Sequence, residues 1–244
     1  METGYTHTLI TGTTIVPVRT RTDIMVGIDS KMVFANKAIK AEPVCKITQV
    51  GRVFFCSAKF AGNQTAGLLV SEFARQAGEG GGTIARIIDR FEQTIAQPLY
   101  DYMRAFRQYD LTRYDLMFGD DSVLDVVFFG IEDEPIIAYR RFTPVFRSQN
   151  ATFRMDKNDR IRVLESGVGF IMLGHVEPLI SFVTQRPNYW NEVGLTHAIR
   201  NLIQLAIDDD PSLVGPPIVI VGVNGKGARW VLGSKLCPAI QNYN

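Results

Sequence analysis

Gly12-Thr13-Thr14-Ile15-Val16-Pro17-Val18-Arg19, followed by Asp23-Ile24-Met25-Val26-Gly27-Ile28-Asp29-Ser30, is the stretch on which the reading of this chain turns. Both runs are rich in β-branched residues. The polar segment Arg19 to Asp23 between them is a tight-turn signal. Thr14–Thr20 and Asp23–Asp29 are therefore predicted as the two strands of a hairpin. With a side-chain period of two, Met25, Gly27 and Asp29 share one face, and Ile24, Val26 and Ile28 the other. Chemistry coincides with the strand start. Cleavage of the Gly12–Thr13 bond would leave a threonine carrying both a hydroxyl and a free α-amine, a nucleophile with a built-in base. The plain alternative is that Thr13 and Thr14 are ordinary strand residues, since threonine is common in strands.

Outward from the hairpin, Asn36–Glu42 reads as a loop, and Lys46–Val50 and Val53–Ala58 as a second hairpin turning at Gly51-Arg52. Asn63 to Ala77 is predicted helical, with Leu69, Val70, Phe73 and Ala77 at helical spacing and the Gly78–Gly82 run as its stop. Thr83 caps a second helix whose stripe is Ile84, Ile87, Ile88, Phe91 and Ile95. Pro98 ends or kinks that helix, and a continuation to about Gln108 is the simplest reading beyond it. Val123–Gly130 and Pro135–Phe142 are strands around the acidic turn Glu132-Asp133-Glu134, and Ile161–Leu164 is a short strand. Gly169–Val183 and Gly194–Ile207 are predicted helices. Ile218–Val223 and Ala228–Leu232 form a hairpin around Asn224-Gly225. Strands pair through short turns and helices come in adjacent pairs, so the chain is α+β with antiparallel sheets rather than an alternating parallel α/β fold.

Composition narrows the function classes. An apolar fraction of 46% in 244 residues supports a sizeable core. The net charge of +1 gives no basis for a nucleic acid or acidic membrane partner. No apolar run reaches the roughly 18–20 residues needed to cross a bilayer. The first residues lack the basic start and apolar middle of a signal peptide. Cys45, Cys56 and Cys237, odd in number and widely spaced, argue against a disulfide framework and for a reducing compartment, with cytoplasm as the expectation.

A freed Thr13 needs electrostatic support. Lys46 can lower the pKa of the threonine amine by like-charge repulsion, and Asp29 can pair with Lys46 and orient it. Backbone N–H groups near Gly62, where a strand gives way to a helix, can face a developing oxyanion. The plain reading of the same residues leaves Asp29 as a strand end and Lys46 solvated.

These residues resemble the start of proteasome β-type subunits, and most closely the bacterial peptidase that works with a ring-shaped heat-shock unfoldase. The shared pattern is Gly then Thr-Thr, an Asp sixteen residues after the nucleophile in an Asp-Ser context, a Lys before an apolar strand, and an Ala-Gly pair. Here these are Gly12-Thr13-Thr14, Asp29-Ser30, Lys46-Ile47 and Ala61-Gly62. The resemblance covers roughly Thr13 to Leu232. It implies Thr13 as nucleophile, Asp29 and Lys46 as its support, Gly62 as oxyanion donor, and residues 1–12 as a propeptide before a single domain, 13–244. It further implies Ser166, in Glu165-Ser166-Gly167, as a serine near the threonine amine, and Asp209 with Ser212 as the family's Asp and Ser, with Asp208 and Asp210 as alternatives for the aspartate. The implied fold is a four-layer α/β/β/α sandwich, the N-terminal nucleophile hydrolase fold, with a helix pair on each outer face. The implied activity is a cofactor-free threonine endopeptidase acting on peptides or unfolded protein in a homo-oligomeric ring, with an ATP-dependent unfoldase as a further partner. Two alternatives stand beside it: an unprocessed, non-catalytic scaffolding subunit, and an amidohydrolase of the same superfamily acting on small amides.

Departures from the family pattern point to a divergent branch. Lys46 lies 33 residues after Thr13, one more than the family spacing. Pro17 removes a ladder donor from the first strand and predicts an edge or a bulge there. Tyr100–Asp121 has no clear family counterpart. Other motifs carry little. Gly78–Gly82 lacks the Lys-Ser/Thr of a phosphate loop, and Gly225-Lys226-Gly227 is a hairpin turn. His7, His175 and His197 show no metal spacing, and His175 with Glu177 reads as a helix surface pair. Asp208–Asp210 reads as a solvated acidic loop rather than a cation site. Tyr102, Phe106 and Tyr109 interleaved with Arg104, Arg107 and Arg113 read as helix core plus solvated face.

Overall fold

The computed structural model describes residues 9–11, 13–34, 42–119, 121–146, 152–164 and 167–241. In chain order the strands begin with β1 (Leu9–Thr11), β2 (Thr14–Arg19), β3 (Asp23–Asp29), β4 (Val33–Phe34), β5 (Ile47–Val50), β6 (Val53–Asn63) and β7 (Leu68–Leu69). Helices α1 (Val70–Glu79), α2 (Ile84–Tyr109) and α3 (Leu111–Met117) follow. Then come β8 (Leu124–Ile131), β9 (Pro135–Pro144), β10 (Phe153–Asn158), β11 (Gly169–Phe170) and β12 (Leu173–Gly174). Helices α4 (Glu177–Gln185), α5 (Tyr189–Val193) and α6 (Leu195–Asp209) precede the closing hairpin, β13 (Ile218–Asn224) and β14 (Gly227–Leu232).

Two antiparallel sheets result. One runs β10-β9-β8-β6-β1-β4, with β5 and β7 also paired to β6; the other runs β11-β2-β3-β13-β14, with β12 paired to β2. Three apolar slabs hold them. The first lies between α1–α3 and the larger sheet and includes Phe55, Phe91, Met103, Phe106 and Phe128. The second, with Ile24, Val26, Ile28, Phe54, Val127 and Val219, lies between the sheets. The third joins the smaller sheet to α4–α6 through Val16, Val18, Leu179, Trp190, Ile199 and Ile203. Among the described residues, each outer face therefore carries three helices rather than a pair, because α3 and α5 are short additions.

The opening hairpin forms as its sequence dictates. The Thr20 N–H bonds the Asp23 carbonyl at 2.8 Å, and the Thr20 hydroxyl accepts from the Asp23 N–H, closing the turn. Ile24, Val26 and Ile28 face the inter-sheet slab, while Met25 turns to the helices. Gly27 lies under α6: a Cβ there would sit 2.1 Å from Ile199 Cγ2, so only glycine admits the helix this closely. Pro17 is flanked on one side by β3 and on the other by the break between β11 and β12, whose Ile171 N–H bonds the Pro17 carbonyl. The missing proline donor falls where the neighbouring strand is interrupted.

Several local expectations are corrected. The first helix starts at Val70, not Asn63, because the Asn63 side chain accepts the Ala66 N–H and closes a turn instead. The expected continuation of the second helix to about Gln108 agrees with α2, which runs through Pro98 to Tyr109: Leu99, Tyr100, Met103 and Phe106 are fully buried beyond the proline, and that burial outweighs the roughly 3 kcal/mol a mid-helix proline costs. Gly169–Gly174 is not helical. Its two short strands pair with Arg19-Val18 and Ile15-Thr14, so the open edge of β2 overrides the helical period. Ile161–Leu164 is not a strand; the edge position is taken by β10, whose polar sequence hid it. Cys45 and Cys237 are disulfide-bonded across 192 residues of sequence, which spacing alone does not reveal. The premise of a reducing compartment is thereby removed, and cytoplasm no longer follows from the cysteines. Among the described residues, no helix is long and apolar enough to cross a membrane. The Asn36–Glu42 loop falls outside the described residues except for Glu42.

Candidate active site

Thr13 precedes β2 at its junction with the larger sheet, and it is fully buried. The β-branched run after it fixes the strand, and the strand fixes the threonine. Asp29 ends β3, one strand away, and is also fully buried. Lys46 comes from the segment just before β5 and is 8% exposed. The plain reading of a solvated lysine does not hold. Its ammonium donates to Thr13 Oγ1 at 2.7 Å and to Asp29 Oδ2 at 3.1 Å. The one-residue excess in spacing has not displaced it.

A buried carboxylate needs compensation, and Asp29 has four donors. The Thr14 N–H bonds Oδ1, and the N–H groups of Lys31 and Gly215 bond Oδ2 beside Lys46. Burial pushes the Lys46 amine down from its ordinary 10.5 to about 8, with Lys31 adding in the same direction, while Asp29 pulls it upward. The result is an amine that exchanges its proton near neutral pH within hydrogen-bond reach of a threonine hydroxyl.

The opposite side of Thr13 is built around Gly174 and His175, which the sequence reading did not place in the site, with Asp209, which it did. The His175 N–H donates to the Thr13 carbonyl at 3.2 Å, and the His175 carbonyl accepts the Thr14 hydroxyl at 2.9 Å. The imidazole Nε2 lies 2.8 Å from Asp209 Oδ2, and Nδ1 lies 3.7 Å from Glu177. Gly174 has φ +87°, and a Cβ there would lie 1.5 Å from the Thr13 carbonyl oxygen, so this turn is closed to side chains. A signal existed. Glu177-Pro178 marks a helix start, which makes Gly174-His175 the turn before it; assigning the whole run to a helix concealed that.

The remaining sequence-derived residues divide. Asp209 reaches the site through His175, whereas Asp208 accepts from Gln204 and Asp210 caps its own loop. Ser212 donates to Asp210 through both its N–H and hydroxyl, away from Thr13. Gly62 lies within β6, paired with Leu9 and Leu69, well before the first helix; the expected strand-to-helix junction is not there. Its register partner is four residues upstream of Thr13. Gly12 and Ser166 fall outside the described residues. Among the described residues, no group of three or more His, Cys, Asp or Glu side chains is placed to hold a metal ion.

The loop after α6 links the two sides. Asp209 holds His175, and six residues later the Gly215 N–H holds Asp29. The Ser30 N–H bonds the Gly215 carbonyl, and the Lys31 ammonium bonds the Pro211 carbonyl. Set against known proteins, the chain matches no protein-family model and no curated protein.

Proposed function

We propose that the chain is a threonine-type peptidase that exposes Thr13 by cutting its own Gly12–Thr13 bond, on the N-terminal nucleophile hydrolase fold with its four α/β/β/α layers. The observation that carries this reading is the buried Lys46 ammonium shared between Thr13 Oγ1 and Asp29. Neutral Lys46 takes the hydroxyl proton, and Oγ1 attacks the Gly12 carbonyl carbon. The C–N bond breaks as Lys46 returns the proton to the departing Thr13 nitrogen. Water then hydrolyses the ester, releasing residues 1–12 and freeing the hydroxyl. In the mature enzyme the new α-amine serves as base, and the Lys46 cation stabilises charge developing on Oγ1.

Strand β1 supports peptides over small amides as substrates. It lies between β4 and β6, antiparallel to both. Release of residues 1–12 opens a slot one strand wide, with main-chain donors and acceptors on both sides, which an extended peptide fills by strand addition. The same strand favours a second reading, an unprocessed scaffolding subunit, because β1 already completes the sheet in the uncut chain. A homo-oligomeric ring, with or without an ATP-dependent unfoldase, belongs to the proposal through the resemblance alone. Intact mass with a peptide-hydrolysis assay tests it: loss of Met1–Gly12 with turnover supports the peptidase, and a stable full-length, inactive chain supports the scaffold.

A further inference from the structure

Lys46 does its work from an irregular piece of backbone. Residues 42–46 form no strand, and 35–41 before them are not described. The lysine amine must nonetheless stay within 3.1 Å of both Thr13 Oγ1 and Asp29. Two anchors precede it: the Val44 N–H bonded to the Ser30 carbonyl, and the Cys45–Cys237 disulfide on the residue next to it in sequence.

Cys237 belongs to a C-terminal segment, Gly233–Gln241, that crosses β5 as a strap. The Trp230 indole N–H bonds the Pro238 carbonyl at 2.9 Å. The Gln49 side chain accepts the Gln241 N–H at 2.8 Å and donates to its carbonyl. Leu236 and Ile240 pack, partly buried, on the inter-sheet slab. Yet a cavity of about 270 Å³ remains between strap and strand, lined by Ile47, Thr48, Trp230 and Ala239 among others. Packing alone holds the strap loosely, and the covalent bond is its firm attachment.

We propose that Cys237 is a positioning residue for Lys46: through its bond to Cys45, the C-terminal strap fixes the backbone that delivers the lysine to Thr13. The inference rests on the Thr13 reading for its effect on catalysis. A dithiol reductant supplies two electrons and two protons, leaving two protein thiols and departing as a cyclic disulfide; a low-molecular-weight disulfide reverses the exchange. Reduction frees the strap, residues 42–50 loosen, and the Lys46–Thr13 contact is lost for part of the time.

The test uses the untruncated gene product as purified, self-processed where it processes, in oxidised, dithiothreitol-reduced and reoxidised forms, with alkylation mapped by peptide mass. Cys56 is buried and free, and its burial raises the thiol pKa, so it serves as the unlabelled control. Amide exchange over 42–50 is expected to rise about tenfold on reduction while β13 stays protected. The value of kcat is expected to fall about tenfold with KM changed less than about threefold, and reoxidation restores both. Cys237→Ser should reproduce the reduced form; if that variant does not fold, the reduction experiment on folded protein decides. Retention of full kcat with Cys45 and Cys237 both alkylated overturns the proposal, as does unchanged exchange over 42–50. A wild-type chain with no turnover and no loss of residues 1–12 fails the Thr13 reading instead, and the exchange measurement still decides whether the strap holds the Lys46 segment.

Discussion

The two sides of the Thr13 site are built from different material. Thr13, Asp29 and Lys46 are held by or beside strands β2, β3 and β5, and their spacing along the chain follows from strand and turn lengths. His175 and Gly215 sit in turns beside α4 and α6, where no period governs position, and Asp209 is the last residue of α6. The strand side supplies the reactive groups: a hydroxyl, an amine and a carboxylate within 3.1 Å contacts. The turn side supplies main-chain clamps on Thr13 and Thr14 and a donor to Asp29. On the proposed reading, chemistry belongs to the strand side and aim to the turn side, and variants on each side should fail in different ways.

The largest effect is expected at Lys46. Lys46→Arg keeps the positive charge and a partner for Asp29, but arginine does not give up its proton. Processing at Gly12–Thr13 should slow by about 10²–10⁴-fold, followed by intact mass over time. In the proposed mechanism, only neutral Lys46 accepts the hydroxyl proton. The processing rate should therefore climb with pH, about tenfold per unit, and level off above about 8, where the buried amine has lost its proton. Burial sets this value, with Asp29 opposing the shift and Lys31 adding to it. A rate independent of pH between 6 and 9 would remove Lys46 as the base.

Gly174→Ala probes the seam between the two sides. The added Cβ meets the Thr13 carbonyl oxygen, and the backbone there is left-handed. A loss of about 3 kcal/mol in chemical denaturation is expected, with processing lost as well. Gly225→Ala, with no atom within 4 Å of its new Cβ, is the matched control and should change stability by less than about 0.5 kcal/mol.

On the turn side the effect is smaller and confined to rate. His175→Ala and Asp209→Ala should each reduce kcat by about 10–100-fold with KM nearly constant, because the backbone clamps survive but lose their anchor. The double variant should be no worse than either single one, since both remove the same contact. His175→Gln, which can still donate to Asp209, should recover much of the loss. Additive effects would show that the two residues act separately. The smallest change is expected at Ser212. Its bonds go to Asp210 in an exposed turn, so Ser212→Ala should leave kcat within about twofold and cost under about 1 kcal/mol of stability. A large loss of kcat would restore Ser212 to the active site.

What was legible in the sequence follows the same division. The hairpin at Thr14–Asp29 was readable because alternation and turn residues agree, and the stripe from Ile84 to Ile95 because burial repeats at helical spacing. Asp29 and Lys46 were tied to Thr13 by the family resemblance and not by strand order, since β3 and β5 lie in different sheets. The segment from Gly169 to Gly174 was not readable: its short strands exist only because β2 offers an edge, which is a tertiary fact. His175 was lost with it. The Cys45–Cys237 bond, joining residues 192 apart, was illegible for the same reason.

The central claim is that Thr13 becomes a free N-terminal nucleophile. Its most direct measurement is the intact mass of the purified chain beside that of Thr13→Ala. The account predicts that the wild-type chain loses Met1–Gly12 and begins at Thr13, while Thr13→Ala stays whole. A wild-type chain that remains full length, or a Thr13→Ala variant that is cut at the same bond, would contradict it.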